Sequence, residues 1–219
     1  AARRILLLCS RQSGKSTTTA ALALDDELYH PPALVLLLSP SLRQSQELFH
    51  KVLDCYGALG ETIPPEQESA LRLELQNGSR IISLPGKEET IRGFSGVKLL
   101  VVDEAARVPN ALYYSVRPML AVSGERLVCL STPFGKRGFF HDEWTKGQGR
   151  EKVKITAEQC PRITPEFLAE ERRNMPDCGG VSVRTLLTGT SASGSWTTRS
   201  RRWSGTQPAQ TEMCGPPPQ

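Results

Sequence analysis

The sequence lacks the features of a membrane-spanning protein, of an exported protein and of a zinc-binding site. None of its 219 residues belongs to an uninterrupted apolar stretch of about 18 residues, the length that a membrane span requires. No basic segment followed by an apolar leader precedes the first apolar run, so we expect a chain that is not exported. The six cysteines include no Cys-x-x-Cys pair and no histidine partners at zinc-site spacing, which favours free thiols in a reducing compartment.

A strong charge imbalance is also missing. The formal net charge is +4, and four arginines against one acid after residue 177 account for most of it. The residues before that point are therefore near neutral, and charge gives no argument for nucleic-acid binding.

The sequence does contain a phosphate-binding loop in a suitable context. An apolar run at 5–8 predicts a buried strand, residues 17–29 predict a helix, and a Gly-Lys-Ser motif lies between them. Backbone N–H groups of such a loop, together with the helix N-terminus, can cradle phosphate oxygens. The residues expected to bind the phosphates are Ser10, Arg11, Gln12, Ser13, Gly14, Lys15, Ser16 and Thr17.

This motif, a Walker A sequence, predicts ATP and Mg²⁺ as ligands. Lys15 would reach the β- and γ-phosphates, and the Ser16 hydroxyl would ligate the metal. Arg11 either stabilises charge on the transferring phosphoryl group or only holds the loop in place. Cys9 stands where the motif has its first glycine. The alternative is a Gly-Lys-Ser sequence in an ordinary strand-to-helix turn.

Two carboxylates complete the predicted catalytic site. The apolar run 99–102 is typical of a strand buried on both faces, and it ends in Asp103 and Glu104. Ligands of open α/β sheets bind at the carboxyl ends of strands. We expect Asp103 to hold Mg²⁺ through its water shell and Glu104 to act as the general base that deprotonates water. Alternatively, the pair only caps the following helix.

Alternating strands and helices predict an α/β fold with a mainly parallel sheet. Further strands are expected at 33–39, 127–130 and 152–155, and a hairpin at 71–75 and 80–84 around Asn77-Gly78. A helix is expected over 41–59 and another over 164–174, with Thr164 as N-cap. The residues predicted to face inward from these two helices are Leu42, Leu48, Phe49, Val52, Leu53, Phe167 and Leu168.

The character of the sequence changes near residue 177. Runs of Ser, Thr, Gly, Arg and Pro follow, with few aliphatic residues, and such a segment cannot bury enough apolar surface to offset the ordering of its backbone. We therefore expect an ATPase domain at 1–177 and a disordered tail at 178–219. A hypothesis for this tail is translation out of frame.

Five motif blocks, in order, resemble the ATPase domain of tailed-phage terminase large subunits. They are Ser10-Arg11-Gln12-Ser13-Gly14-Lys15-Ser16, Ser39-Pro40-Ser41-Leu42-Arg43-Gln44-Ser45, Ile91-Arg92-Gly93-Phe94-Ser95-Gly96, Val101-Val102-Asp103-Glu104-Ala105 and Ser131-Thr132-Pro133-Phe134-Gly135. The resemblance implies a P-loop NTPase fold of the additional-strand type, in which the 127–130 strand lies between the strands that precede the phosphate loop and Asp103. It also implies that Ser131 and Thr132 sense the γ-phosphate and couple its loss to movement.

The resemblance further implies a motor that uses ATP to drive double-stranded DNA into procapsids in the cytoplasm of the bacterial host. The implied partners are this DNA, the portal protein, the small terminase subunit and further copies of the chain in a ring, with no membrane. The family's nuclease domain has no match here, so no cleavage is expected. Its adenine-contacting segment upstream of the loop is also missing, so base selectivity is expected to be weak.

Other interpretations of these residues remain open. Ser131-Thr132 could be a simple strand end, and residues 92–96 could form either a Gly-rich turn with Phe94 in the core or a loop that faces DNA or a neighbouring subunit. Arg43 and Gln44 either touch the nucleotide or cap their helix locally. The whole chain could instead be a helicase-like ATPase, although Ala105-Ala106 does not favour this. It could also be a truncated prophage remnant that binds nucleotide without turnover.

Overall fold

A computed structural model describes residues 3–86, 93–120 and 126–174. Eight strands and five α-helices lie within these residues. The strands are β1 (Arg4–Cys9), β2 (Leu34–Ser39), β3 (Pro65–Ser69), β4 (Arg72–Leu75), β5 (Arg80–Pro85), β6 (Val97–Val102), β7 (Arg126–Ser131) and β8 (Glu151–Ile155). The helices are α1 (Lys15–Tyr29), α2 (Leu42–Ala58), α3 (Asn110–Val116), α4 (Gly138–Thr145) and α5 (Pro165–Asn174).

All eight strands form one sheet in the order β3-β4-β5-β2-β6-β7-β1-β8. The six strands from β5 to β8 in this order pair in parallel, whereas β3 and β4 are antiparallel at one edge. The predicted α/β class with a mainly parallel sheet is therefore confirmed. β7 lies between β1 and β6, as the resemblance implied.

The central strands are mostly apolar because helices cover both faces of the sheet. All six residues of β2 are buried, and successive residues alternate between two cores. Leu36 packs with aromatic residues of α3 and α4, whereas Leu37 packs with residues of α1 and α2. Trp144 lies in the first of these cores.

The two long helices near the N-terminus follow the predicted pattern with small differences. α1 begins at Lys15, two residues earlier than predicted. Ser41 caps α2, since its hydroxyl accepts a hydrogen bond from the Gln44 N–H at 3.4 Å. The prediction that Leu42 faces inward is wrong: it is 52 % exposed, because it starts the helix ahead of the buried stripe around Phe49.

The hairpin of β4 and β5 is confirmed, but its neighbour β3 was not predicted. Gly78 adopts a left-handed conformation with φ of 79° in the turn, as the Asn-Gly sequence indicates. Four of the five residues of β3 are exposed at the sheet edge. A strand that buries almost nothing has no apolar alternation, so periodicity could not identify it.

The C-terminal part of the described chain is a short helix. Thr164 accepts a hydrogen bond from the Phe167 N–H at 3.3 Å, as expected of the N-cap of α5. Leu168 is buried, but Phe167 is 50 % exposed, so its predicted inward orientation is wrong. The predicted tail at 178–219 lies outside the described residues. No helix among those described is long and apolar enough to span a membrane.

Candidate functional site

A polar cavity of about 800 Å³ opens at the carboxyl edge of the parallel strands. Residues 11–17 line it, together with side chains that follow the ends of other strands: Gln44, Lys51, Glu104, Arg107, Thr132 and Arg162. The structure thus brings the phosphate loop, Glu104 and Thr132 to one place. Because β1, β6, β7 and β8 are adjacent and parallel, the loops after them converge.

The phosphate loop is a tight turn that leads directly into α1. Gly14 has φ of 81°, a conformation that favours glycine, and Lys15 begins the helix. The Ser13 hydroxyl donates to the Ser10 carbonyl at 2.9 Å, which closes the turn. The first N–H groups of the 15-residue helix therefore face the cavity edge without partners of their own in the helix.

Two residues at the start of the phosphate loop are buried and do not line the cavity. Ser10, predicted to bind phosphate, is buried and does not line the cavity. Cys9 is also buried, and this burial raises the pKa of its thiol to about 11. The thiol that replaces the first glycine of the motif is therefore a neutral core group at physiological pH.

Glu104 is held by residues from three parts of the chain. Thr132 Oγ1 donates to Glu104 Oε2 at 2.9 Å, and Lys15 Nζ lies 3.6 Å from Glu104 Oε1. Arg107 Nε lies 3.9 Å from Glu104 Oε2. The backbone of Glu104 is left-handed, with φ of 45°, and its side chain makes no capping hydrogen bond. The alternative in which Glu104 merely caps the following turn therefore has no support in the geometry.

Asp103 lies beside Glu104 but is more deeply buried, with 7 % of the residue exposed. Its N–H donates to the Leu38 carbonyl at 2.8 Å, which anchors the residue to β2. Burial and the neighbouring Glu104 carboxylate raise the pKa of Asp103 to about 6. Its Oδ1 is buried and finds no hydrogen-bond partner among the described residues. A buried carboxylate oxygen without a partner calls for a ligand or a proton.

Ser131 and Thr132 connect the end of β7 to the acidic pair. Ser131 is fully buried, and its hydroxyl accepts from the Ala106 N–H at 3.1 Å and donates to the Thr132 carbonyl at 2.8 Å. Thr132 then donates its own hydroxyl to Glu104. A movement of the Glu104 carboxylate is thereby linked to the end of β7 through the side chains of Thr132 and Ser131.

The cavity is strongly basic. Among the residues that the structure describes, five cationic side chains line it against one carboxylate, that of Glu104: Arg11, Lys15, Lys51, Arg107 and Arg162. Arg11 makes no ion pair or hydrogen bond within the described part of the chain, so holding the loop in place is not its visible role. This excess of positive charge suits a polyanionic ligand.

Three of these cations were missed by sequence reasoning. Arg107 follows Glu104 by one turn, so spacing alone could have suggested it. Lys51 lies within α2, far in sequence from the phosphate loop. Arg162 reaches the phosphate loop only because β8 is adjacent to β1. Of the residues in the second motif block, Gln44 lines the cavity and bonds to Ser41, whereas Arg43 does not line it.

The family model described as the N-terminal part of the terminase large subunit, T4-like virus type, matches residues 6–195. The terminase large subunit of Thermus phage G20c is 26 % identical over 186 residues, covering 76 % of this chain and 38 % of that protein. The chain thus spans well under half the length of this curated relative.

Solved structures of phage terminases show the same fold. The large terminase ATPase domain of Thermus phage P74-26 superimposes with a TM-score of 0.73 at 20 % identity, covering 86 % of this chain and 88 % of that one. The large terminase of another thermophilic bacteriophage, in complex with ATP-γ-S, gives a TM-score of 0.61 at 13 % identity, covering 78 % of this chain and 44 % of that one.

Proposed function

Because the chain belongs to the terminase large-subunit family through the N-terminal part of that protein, we propose that it hydrolyses ATP with Mg²⁺ to drive the packaging of double-stranded DNA. The observation that carries this proposal is the fixation of Glu104 between Lys15 and Thr132 at a basic cavity lined by the phosphate loop. Phosphates, metal and attacking water each find suitable groups there.

In this proposal, the loop 10–17 binds the nucleotide through its phosphates. Lys15 and the backbone N–H groups at the start of α1 contact the β- and γ-phosphates, and Arg11 faces the charge that develops on the transferring group. The guanidinium of Arg11, which has no partner among the described residues, and the surplus of cations around the cavity support these roles. Ser10 shapes the loop, since its side chain is buried, its N–H donates to the Ile155 carbonyl and its carbonyl accepts from the Ser13 hydroxyl.

Asp103 and Ser16 are proposed to hold the Mg²⁺ that accompanies ATP. The residues fit this ion: Asp103 Oδ1 is buried without a partner among the described residues, and Ser16 lines the cavity at the start of α1. When bound, the ion would neutralise charge on the β- and γ-phosphates. Burial raises the pKa of Asp103 to about 6, and a cation beside the carboxylate would lower it.

Glu104 is proposed to act as the general base. ATP phosphates compete with Glu104 for Lys15, which leaves the carboxylate held by Thr132 and Arg107 and free to accept a proton. A water then attacks the γ-phosphorus in line while the bond to the β–γ bridging oxygen breaks, and the water proton moves to Glu104. The products are ADP and inorganic phosphate.

Ser131 and Thr132 are proposed to couple turnover to movement. When phosphate leaves, Lys15 returns to Glu104, and the change at that carboxylate reaches β7 through the Thr132 hydroxyl. In the intact packaging machine this movement would act on double-stranded DNA, through phosphate contacts with little base reading. The proposed partners are the portal protein, the small terminase subunit and further copies of the chain in a ring, in the host cytoplasm.

The test is ATP hydrolysis by the full chain with Mg²⁺, with and without double-stranded DNA. Lys15→Ala should lower turnover by about 100-fold or more, because the cation that stabilises the phosphates is lost. Lys146→Ala, an exposed lysine after α4, is the matched control and should leave turnover unchanged.

Each failure has a distinct meaning. Turnover that survives Lys15→Ala would rule out the proposed site. ATP binding without any turnover by the unaltered chain would favour the non-catalytic remnant. A rate that is identical with and without DNA would leave an ATPase whose work is not on DNA.

A further inference from the structure

The loop after β8, residues 156–164, lies directly against the phosphate loop. β8 pairs in parallel with β1, and Cys9 lies opposite Ile155 in the register. The Ser10 N–H donates to the Ile155 carbonyl at 2.9 Å, so the pairing continues to the point where both strands end. The two loops therefore leave the sheet side by side.

This post-β8 loop has a fixed backbone. The Thr156 N–H donates to Gln159 Oε1 at 2.8 Å, and the Ile163 N–H donates to the Cys160 carbonyl at 3.0 Å. Ala157 and Cys160 are buried, and the Cys160 thiol donates to the Gln12 carbonyl at 3.4 Å. A side chain at the tip of such a loop is positioned by the fold.

Arg162 occupies that tip and faces the nucleotide site. Its side chain lines the cavity, and a methyl group built on Gly14 would lie 3.1 Å from Arg162 Nη2. Within the described residues, Arg107, Arg126 and Arg150 all pair with carboxylates, whereas Arg162 pairs with none. A guanidinium without a counterion beside a phosphate loop is arranged to bind an anion.

We infer that Arg162 is a phosphate-binding residue of the nucleotide site, delivered in cis by the post-β8 loop. The inference rests on the proposed function, since the anion it binds is the polyphosphate of the nucleotide. In the strand order β6-β7-β1-β8, Arg162 lies on the side of the phosphate loop opposite Glu104. It therefore contributes to affinity for the nucleotide, whereas the proposed general base, Glu104, lies on the other side of the loop.

The test is calorimetric titration of the full chain with ADP, ATP-γ-S and inorganic tripolyphosphate, each with Mg²⁺. Arg162→Ala should weaken binding of all three by about tenfold, the loss typical of one charge-assisted hydrogen bond. Arg162→Lys should recover part of the affinity, and Arg173→Ala, an exposed arginine on α5, should change nothing.

The outcomes separate the inference from the proposed function. If Lys15→Ala abolishes binding but Arg162→Ala does not change it, only the inference fails. A loss for ADP but not for tripolyphosphate would place Arg162 on the nucleoside and overturn its phosphate role. A lower melting temperature of ligand-free Arg162→Ala, with unchanged affinity, would make the residue structural. No binding by the unaltered chain would overturn both.

Discussion

Two Asp-Glu pairs lie near opposite ends of the parallel strands, and their side chains have different partners. In α1, Asp26 pairs with Arg126 at the start of β7, while both carboxylate oxygens of Glu27 are buried without partners among the described residues. After β6 the order is reversed, since Glu104 has three partners and Asp103 Oδ1 has none within the part of the chain that the structure describes. Burial raises the pKa of Glu27 to about 8 and that of Asp103 to about 6.

An unpartnered acid with a raised pKa does not by itself mark a functional site. Glu27 is 0 % exposed on α1 and is not among the cavity-lining residues. Asp103 neighbours a carboxylate that lines a basic cavity beside the phosphate loop. Access to a ligand of the right charge distinguishes the two regions.

The largest difference between the two pairs is expected when the glutamate of each is neutralised in turn. Glu104→Gln should lower kcat by about 10²–10⁴-fold while ATP binding is retained, because the general base is lost and the volume is kept. Glu27→Gln should leave kcat within about twofold, since no substrate reaches it. The measurement is steady-state hydrolysis together with ATP-γ-S binding.

Equal losses in the two variants would mean that turnover depends on the packing of α1 as much as on the proposed base. Unchanged turnover in Glu104→Gln would remove Glu104 from the mechanism.

A second experiment uses pH to expose the cost of burying Glu27. Its folded pKa, about 8, lies above the ordinary value of 4.5, so the folded chain keeps a proton that the unfolded chain releases. The contribution of this protonated carboxyl to the free energy of unfolding is fully present below pH 4.5. It is lost as pH rises towards 8, by about 1.4 kcal/mol per pH unit. Glu27→Gln should remove that slope and be the more stable protein at pH 8.

Urea unfolding at pH 5 through pH 8 measures this difference directly. Glu47→Gln, an exposed acid on α2, is the control and should keep the slope of the unaltered chain. If Glu27→Gln also keeps that slope, the buried carboxyl does not titrate as its surroundings indicate.

The smallest expected effect concerns the link between Thr132 and Glu104. Thr132→Val removes the hydroxyl at similar volume and should lower kcat by about tenfold, the equivalent of one hydrogen bond to a charged group. Thr145→Val, which loses only exposed bonds to backbone carbonyls of α4, should have no effect. If the two valine variants hydrolyse ATP equally fast, Thr132 does not position the base.

Much of the fold could be predicted because its central strands carry their own signal. β2 and β6 contain the apolar runs 34–38 and 99–102, and the Asn77-Gly78 turn identified its hairpin. β3 could not be found, since it lies at the sheet edge with polar residues on both faces. Leu42 and Phe167 were assigned inward from hydrophobicity alone, although both lie in the first turn of their helices, where little covers them.

The candidate site divides in the same way. Lys15 and Asp103-Glu104 could be located because each follows an apolar strand with a recognisable local motif. Arg162 could not, because its approach to Gly14 results from the pairing of β8 with β1, and no local pattern encodes strand order. Arg11 was identified from the motif, and its lack of partners within the described chain supports the proposed role at the transferring phosphoryl group.

The left-handed backbone of Glu104 has a consequence for how such sequences drift. A non-glycine residue in this conformation costs about 1–3 kcal/mol, which its contacts with Lys15 and Thr132 help to offset. Glycine or asparagine at that position would relieve the strain and abolish the base at the same time. In a lineage that is no longer selected for turnover, such a replacement would raise stability at no functional cost. We therefore expect glutamate at this position in copies that hydrolyse ATP, and its replacement in copies that do not.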